Sequence, residues 1–471
     1  MPKRKILSVA LILAIALGAL LAAAGAADLL RVPTGSVSHS LCDAAFVSGI
    51  DPDRVYAEEQ RPEGGMSTIA WALHYEVDRV HRSVRTTVFG LFASRAVYRE
   101  GLGCLLLKGA DRRIPLDTTP QPVDTAPRSV DSSSRANVPV STLPPIVTAA
   151  DPGLQKALDL AFAEPDPARP RWTKAVVVMH DGQIVAERYA VGYGPETRIW
   201  GHSLSKSVVN ALIGVQVRKG ALTTGQSVPV AVGRPAASHR AVSIDDLLRM
   251  TSGLPFDETT DAISPMNRMS FLERDMADYA QRMPLAHEPG AQWNYSNLSY
   301  LILSRILRDS AGGGAEGAER FARRELFEPL GMQSALIECD ATGTPIGANG
   351  VFASARDWAR FGQLYLDDGI ADGVRILPEG WVKYSASQTL DTGYGAGFWT
   401  NLVNQGSVPV WDAPWGMPQL PKDMFYARGY LGQYIVIVPS EHLVVARLGL
   451  THGGPTDIGN VVAGIIATLH R

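Results

Sequence analysis

Three kinds of hydrophobic pattern run along this chain, and each predicts a different element. The longest is an uncharged, mostly apolar run from Ile6 to Ala27, preceded by Lys3, Arg4 and Lys5. It is long enough to cross a bilayer as a helix. The second pattern has helical period. Apolar residues return every three or four positions over Leu154–Ala163 and Ser203–Lys219, and a further helical stretch is read near Met66–Tyr75. The third is the short β-branched run. AVVVMH and QIVAERYAVG flank Asp181-Gly182, a two-residue hairpin signal. Similar runs return near the end as Phe425–Gly429, Gln433–Val438 and Leu443–Leu450, with Pro439-Ser440-Glu441 as a turn. A helical Thr456–Arg471 closes the chain. Strands at both ends with helices between them predict an α+β fold, with one antiparallel sheet assembled from both ends of the region.

Between Pro115 and Pro145 the patterning stops. PLDTTPQPVDTAPRSVDSSSRANVPVSTLPP reads as an extended linker or a strap over a surface, assigned to residues 115–147. It separates an N-terminal appendage, residues 31–114, from a main domain, residues 148–471. The appendage carries few chemical cues and reads as a cap packed on the main domain. No internal repeat is visible.

Composition changes this picture only a little. Of 471 residues, 46% are hydrophobic and 19% charged, with a formal net charge of -3. That balance argues against a nucleic-acid partner. Residues 1–30 are read as a signal peptide or a transmembrane anchor. Small residues over Ala22–Ala27 offer cleavage sites, whereas the length of the apolar run favours an uncleaved anchor. The basic residues before the run favour an N-terminus inside the cell. Either way the rest of the chain is exported, to the outer face of a membrane through residues 6–27 or to the periplasm or medium after cleavage. Export permits a disulfide. Cys42 and Cys104 both precede the linker and are paired on that ground, which leaves Cys339 as a buried odd thiol.

The candidate chemistry sits at three places. In Ser203-Leu204-Ser205-Lys206, helical spacing puts Ser203 and Lys206 on one face. A serine hydroxyl becomes a nucleophile when a neighbouring base takes its proton, and a desolvated lysine can be that base. Ser205 and Ser207 compete, but neither has a lysine three residues on. In Tyr295-Ser296-Asn297, a phenol can exchange a proton with a leaving group, and an amide can hold both a lysine and a substrate. In Phe425–Gln433, glycines punctuate a strand suited to close backbone approach. Such a strand can supply an oxyanion donor to partner the Ser203 N–H. His202 precedes Ser203, but adjacent helix residues do not face each other. His452-Gly453-Gly454 is a rival for the third place. No metal-ligand cluster or phosphate loop stands out, so no cofactor is expected.

These elements, in this order, resemble the serine β-lactamase and penicillin-binding-protein superfamily, for which S-x-x-K with partner motifs is a known signature. Tyr-Ser-Asn as the second motif looks like the class C branch, which includes D-alanyl-D-alanine peptidases, esterases and 6-aminohexanoate-dimer hydrolases. LLRMTSGLPFDE at Leu247–Glu258, FEPLGM at Phe327–Met332, GVFASARDWARFGQLYLDDG at Gly350–Gly369 and YGAGFW at Tyr394–Trp399 extend the likeness over roughly residues 150–471. The resemblance implies a central antiparallel sheet flanked by helices, plus an all-helical region. It also implies an acyl-enzyme on Ser203, with Lys206 and Tyr295 as general base and acid and Asn297 orienting. The backbone N–H groups of Ser203 and of a residue near Tyr430 would form the oxyanion hole. One departure stands out. Where the family often has Lys-Thr-Gly, this chain has Ala427-Arg428-Gly429, followed by Tyr430. That puts β-lactam recognition in doubt. The expected activity is hydrolysis of a small ester, amide or peptide. The alternatives are a membrane-anchored D-alanyl-D-alanine peptidase or transpeptidase, and a non-catalytic binding protein.

Overall fold

The computed structural model describes residues 27–109, 145–228, 241–259, 261–402, 416–452 and 456–470, with Gly25, Asp111, Val232 and the pairs 407–408 and 413–414. Nearly all of the apolar run Ile6–Ala27 and of the 115–147 linker lies outside the described residues. Among the described residues, no helix is long and apolar enough to cross a membrane.

The appendage opens with a helix over residues 27–42, which runs straight across the expected boundary at residue 30. A four-stranded antiparallel sheet follows in the order β1-β2-β3-β4, with β1 Leu73–Asp78, β2 Ser83–Val88, β3 Leu91–Arg99 and β4 Gly103–Leu106. The expected helix near Met66–Tyr75 is confined to Met66–Ile69 and a short turn at Ala70–Ala72. From Leu73 onward the chain pairs with Val88–Ser83, so cross-strand bonding overrides the local helical pattern. Cys42 and Cys104 form a disulfide that joins the end of the helix to β4. Cys339 is free and buried. The appendage core of Val37, Leu41, Val84, Val88 and Ala96 continues into Leu336 and Phe352 of the main domain, so the two share apolar packing.

A six-stranded antiparallel sheet frames the main domain. Its strands are β5 Thr173–His180, β6 Gln183–Tyr189, β7 Trp399–Thr400, β8 Phe425–Gly429, β9 Gln433–Val438 and β10 Leu443–Gly449, in the order β7-β8-β9-β10-β5-β6. The β5–β6 hairpin turns on Asp181 and Gly182, at φ 48° and 73°. Both angles are positive, as a tight hairpin turn of this hand requires. Every residue of β9 and β10 is buried, which explains mostly apolar runs where a half-exposed strand would alternate. The helices Ala355–Leu366 and Pro152–Phe162 both pack on β5, and the closing helix Ile458–Leu469 packs on the latter. Val147 exchanges hydrogen bonds with Glu187 of β6, so the end of the expected linker already lies on this sheet.

Helix Leu204–Arg218 is buried from Leu204 to Gln216 and packs beside helix Asn297–Ser310. Its buried polar residues, Ser205, Lys206, Ser207, Asn210 and Gln216, sit among apolar ones on a helix that lies within the core. It enters from a small sheet of Ile199–Trp200, Val351–Ala353 and Leu336–Ile337.

Candidate active site

Ser203 sits on a turn that the surrounding backbone holds in place. Gly201 N donates to Val351 O at 2.9 Å, fixing the chain before the turn. His202 then adopts φ 46°, a left-handed conformation uncommon outside glycine. Ser205 stabilises the kink. Its Oγ donates to His202 O at 2.6 Å and accepts from Val351 N at 3.0 Å. Ser207 Oγ is likewise occupied, donating to Gly397 O at 2.6 Å. Both rival serines are therefore committed to backbone. Ser203 caps the helix Leu204–Arg218 without using its side chain for the cap.

Lys206 lies one turn further on and is 1% exposed. Its Nζ donates to Ser203 Oγ at 2.8 Å, to Asn297 Oδ1 at 2.7 Å and to Ala348 O at 2.8 Å. Burial pushes the Lys206 pKa down to about 8, against the opposing pull of Glu258 and Asp257. Tyr295 is buried, and its hydroxyl is within hydrogen-bonding reach of Ser203. Lys206 Nζ stands 4.8 Å from the Tyr295 ring centre. Burial, and then the Glu258 charge, raise the Tyr295 pKa well above its ordinary value. Trp399 of β7 stacks on the Tyr295 ring at 5.9 Å, and Tyr394 meets its face edge-on at 6.2 Å. The aromatic packing fixes where the phenol points.

Two acidic residues behind this group carry no assigned role in the sequence reading. Asn297 Nδ2 donates to Glu258 Oε1 at 2.8 Å and to Asp257 Oδ1 at 3.2 Å. Leu298 N donates to Asp257 Oδ2 at 3.1 Å, which anchors the start of helix Asn297–Ser310. Burial and the neighbouring Glu258 charge raise Asp257 to about 7. The signal available was the adjacent pair itself, at the end of the LLRMTSGLPFDE match.

The third motif meets the turn by backbone. A Cβ on Gly429 would come within 2.3 Å of Gly201 O, so only glycine lets β8 approach this closely. Ala427 is buried and brings no polar side-chain group. The Arg428 guanidinium lies 5.9 Å from the Tyr434 ring centre and within electrostatic range of Tyr295 and Glu258. Tyr430 has an exposed ring that meets His202 edge-on at 5.8 Å, and its hydroxyl donates to Glu63 of the appendage at 2.9 Å.

Neither histidine joins Ser203, Lys206 and Tyr295. His202 stacks on Trp200 at 4.1 Å. Burial, aided by the Lys206 charge, pushes it down to about 3, so it stays neutral. His452 Nε2 hydrogen-bonds Glu58 O at 2.8 Å, on the appendage side.

Residues 169–459 match the family described as Beta-lactamase. Two curated relatives share sequence with the chain. The 6-aminohexanoate-dimer hydrolase of Paenarthrobacter ureafaciens is 26% identical over 225 residues, 45% of this chain and 56% of that protein. Penicillin-binding protein 4 of Amycolatopsis lactamdurans is 27% identical over 252 residues, 46% of this chain and 60% of that protein. The chain thus spans somewhat over half the length of these relatives. Among solved structures, a penicillin-binding protein homolog from Caulobacter crescentus superposes with a TM-score of 0.52 at 17% identity, covering 69% of this chain and all of that one. That likeness shows the fold, a central antiparallel sheet with flanking helices. With the family match covering well over half of its length, the chain belongs to the beta-lactamase family.

Proposed function

We propose that this protein is an exported serine hydrolase that cleaves a small ester or amide through an acyl-enzyme on Ser203. The observation that carries the proposal is the contact between Lys206 Nζ and Ser203 Oγ, 2.8 Å long and buried. In this reading neutral Lys206 takes the Ser203 proton as Oγ attacks the carbonyl carbon. The N–H groups of Ser203 and Tyr430 face the oxyanion. The leaving oxygen or nitrogen takes a proton through Tyr295, which is resupplied from Lys206. Water then attacks the acyl-enzyme by the reverse proton route, releasing the acid and restoring Ser203. Asn297 keeps Lys206 aimed at Ser203. The similarity to a 6-aminohexanoate-dimer hydrolase supports a small amide as the substrate class.

A second reading is a D-alanyl-D-alanine peptidase held at the membrane by the leader. Arg428 favours it, because it places a cation within electrostatic range of Tyr295. Ala427 at the usual lysine position weighs against a β-lactamase.

Detergent-solubilised full-length protein is treated with a fluorophosphonate probe and assayed on a p-nitrophenyl ester panel. The expected result is one label on Ser203, with label and turnover both lost in Ser203→Ala. An unlabelled Ser203, with activity unchanged in Ser203→Ala, would sink the hydrolase reading. A labelled penicillin adduct on Ser203 would favour the peptidase reading.

A further inference from the structure

Away from Ser203, the seam between appendage and main domain buries a second group of reactive side chains. His39 lies on the helix over residues 27–42, and Asp43 follows one turn later. Glu338 comes from the main domain, just after the strand Leu336–Ile337. His39 Nδ1 is 3.4 Å from Asp43 Oδ2, and Nε2 is 3.1 Å from Glu338 Oε2. One ligand atom from each residue falls within 4.8 Å of the others. Asp43 is 2% exposed and Glu338 fully buried.

The polar accounting is incomplete here. Asp43 and Glu338 contact each other carboxyl to carboxyl, but neither oxygen of Asp43 meets a nitrogen or hydroxyl donor in good geometry, and neither does Glu338 Oε2. Two buried carboxyls set against each other with so few donors are costly, and protein interiors normally pair such groups or give them to a metal. The frame around them is rigid. Glu338 Oε1 accepts from Cys104 N at 2.6 Å, and Cys104 is bonded to Cys42, the neighbour of Asp43. The disulfide therefore sets the spacing between both carboxylates. Glu59 lies in electrostatic range of Asp43, and Arg99 in electrostatic range of Glu338.

We propose that His39, Asp43 and Glu338 bind one divalent transition-metal ion of the zinc kind, which fastens the appendage to the hydrolase domain. Two carboxylates and a neutral imidazole balance a doubly charged ion. A nitrogen ligand beside two oxygens suits zinc, manganese or cobalt better than calcium, which takes oxygen ligands. Oxygen Oε1 of Glu338, held by a backbone N–H, leaves Oε2 free to face the ion, an outer contact typical of such sites. Local spacing hides the group: His39 and Asp43 alone resemble an ordinary helix pair, and Glu338 lies far along the chain.

The test uses full-length protein stripped with a chelator and then titrated with Zn²⁺ or Co²⁺. Calorimetry should find one strong site per chain, and cobalt should give a visible d–d band. Chelation should lower the melting temperature by several degrees, and zinc should restore it. His39→Gln and Glu338→Gln should each weaken binding at least about tenfold and remove the zinc response of the melt. His39 is partly accessible at 14% side-chain exposure, so its variant is the safer one to fold. Stripped wild type that takes up neither ion would overturn the proposal and leave an imidazolium shared between two carboxyls. Binding unchanged in both variants, or a melt indifferent to chelator and zinc, would overturn it as well. None of these readouts depends on hydrolytic activity.

Discussion

Asn297 Oδ1 accepts a hydrogen bond from Lys206 at 2.7 Å, while its own amide nitrogen turns the opposite way onto Glu258 and Asp257. One amide group thus stands between a buried ammonium and two carboxylates. An amide suits this place because one end accepts and the other donates. A carboxylate could serve only the lysine side.

Asn297→Asp is therefore expected to slow acylation by on the order of 100-fold. The new charge would hold Lys206 as an ammonium and repel Glu258. Fluorophosphonate labelling rates at pH 8 measure this. A rate within a factor of two of wild type would mean that the amide plays no part in holding Lys206.

Lys206→Met should separate stability from chemistry. The buried lysine is held below its ordinary pKa by desolvation, so its charged form costs the native state on the order of a few kcal/mol at neutral pH. Met fills similar space without that cost. Acylation should fall by about 10²–10⁴-fold, while the melting temperature stays level or rises. A variant that acylates near normally would remove lysine from the mechanism.

Gly429→Ala tests the third motif without touching a side chain. The added Cβ would meet Gly201 O at 2.3 Å, and a backbone carbonyl on a hydrogen-bonded turn cannot rotate aside. Either β8 or the Ser203 turn must shift. The expected outcome is a loss of kcat of at least about tenfold with a smaller change in KM, read on the best p-nitrophenyl ester. Unchanged kcat would show that the close approach of β8 does not matter to the reaction.

Local patterns in this chain report faithfully where local forces decide. Asp181-Gly182 specifies its hairpin because both residues accept positive φ. The apolar runs of β8, β9 and β10 read as strands because burial leaves no helical face to mark. Ser203 and Lys206 are legible as a pair because one helix holds both. What escapes is whatever a distant partner supplies. Leu73–Tyr75 reads as the end of a helix until β2 pairs with it. Asp257 and Glu258 are only the end of the LLRMTSGLPFDE stretch until Asn297 and Leu298 bond to them. The contact of Glu63 with Tyr430, which brings the appendage to the rim of the site, joins segments that no spacing rule connects.

The same two acids oppose the burial that lowers the Lys206 pKa, and so adjust the pH at which the proposed reaction would run. In the proposed mechanism Lys206 takes the Ser203 proton only as the free amine, and burial pushes its pKa down to about 8. Acylation should therefore rise with pH and level off above about 8. Glu258 and Asp257 pull the other way, with Glu258 the stronger. Glu258→Gln keeps an acceptor for Asn297 and removes the charge, so the midpoint should move to lower pH. Asp257 returns part of the effect. Its carboxyl is raised to about 7, partly by Glu258, so losing that neighbour makes Asp257 a fuller anion near neutrality. A net fall of on the order of half a pH unit is expected from one charge at this range. The linkage to stability follows the same signs. Asp257 binds a proton more tightly folded than unfolded, so its contribution to stability declines as pH rises from about 4 to about 7. In Glu258→Gln that decline should end at lower pH. Labelling rates and melting temperatures across pH 4 to 10 measure both curves. An acylation midpoint that moved up would mean that these carboxylates do not hold the proton on Lys206.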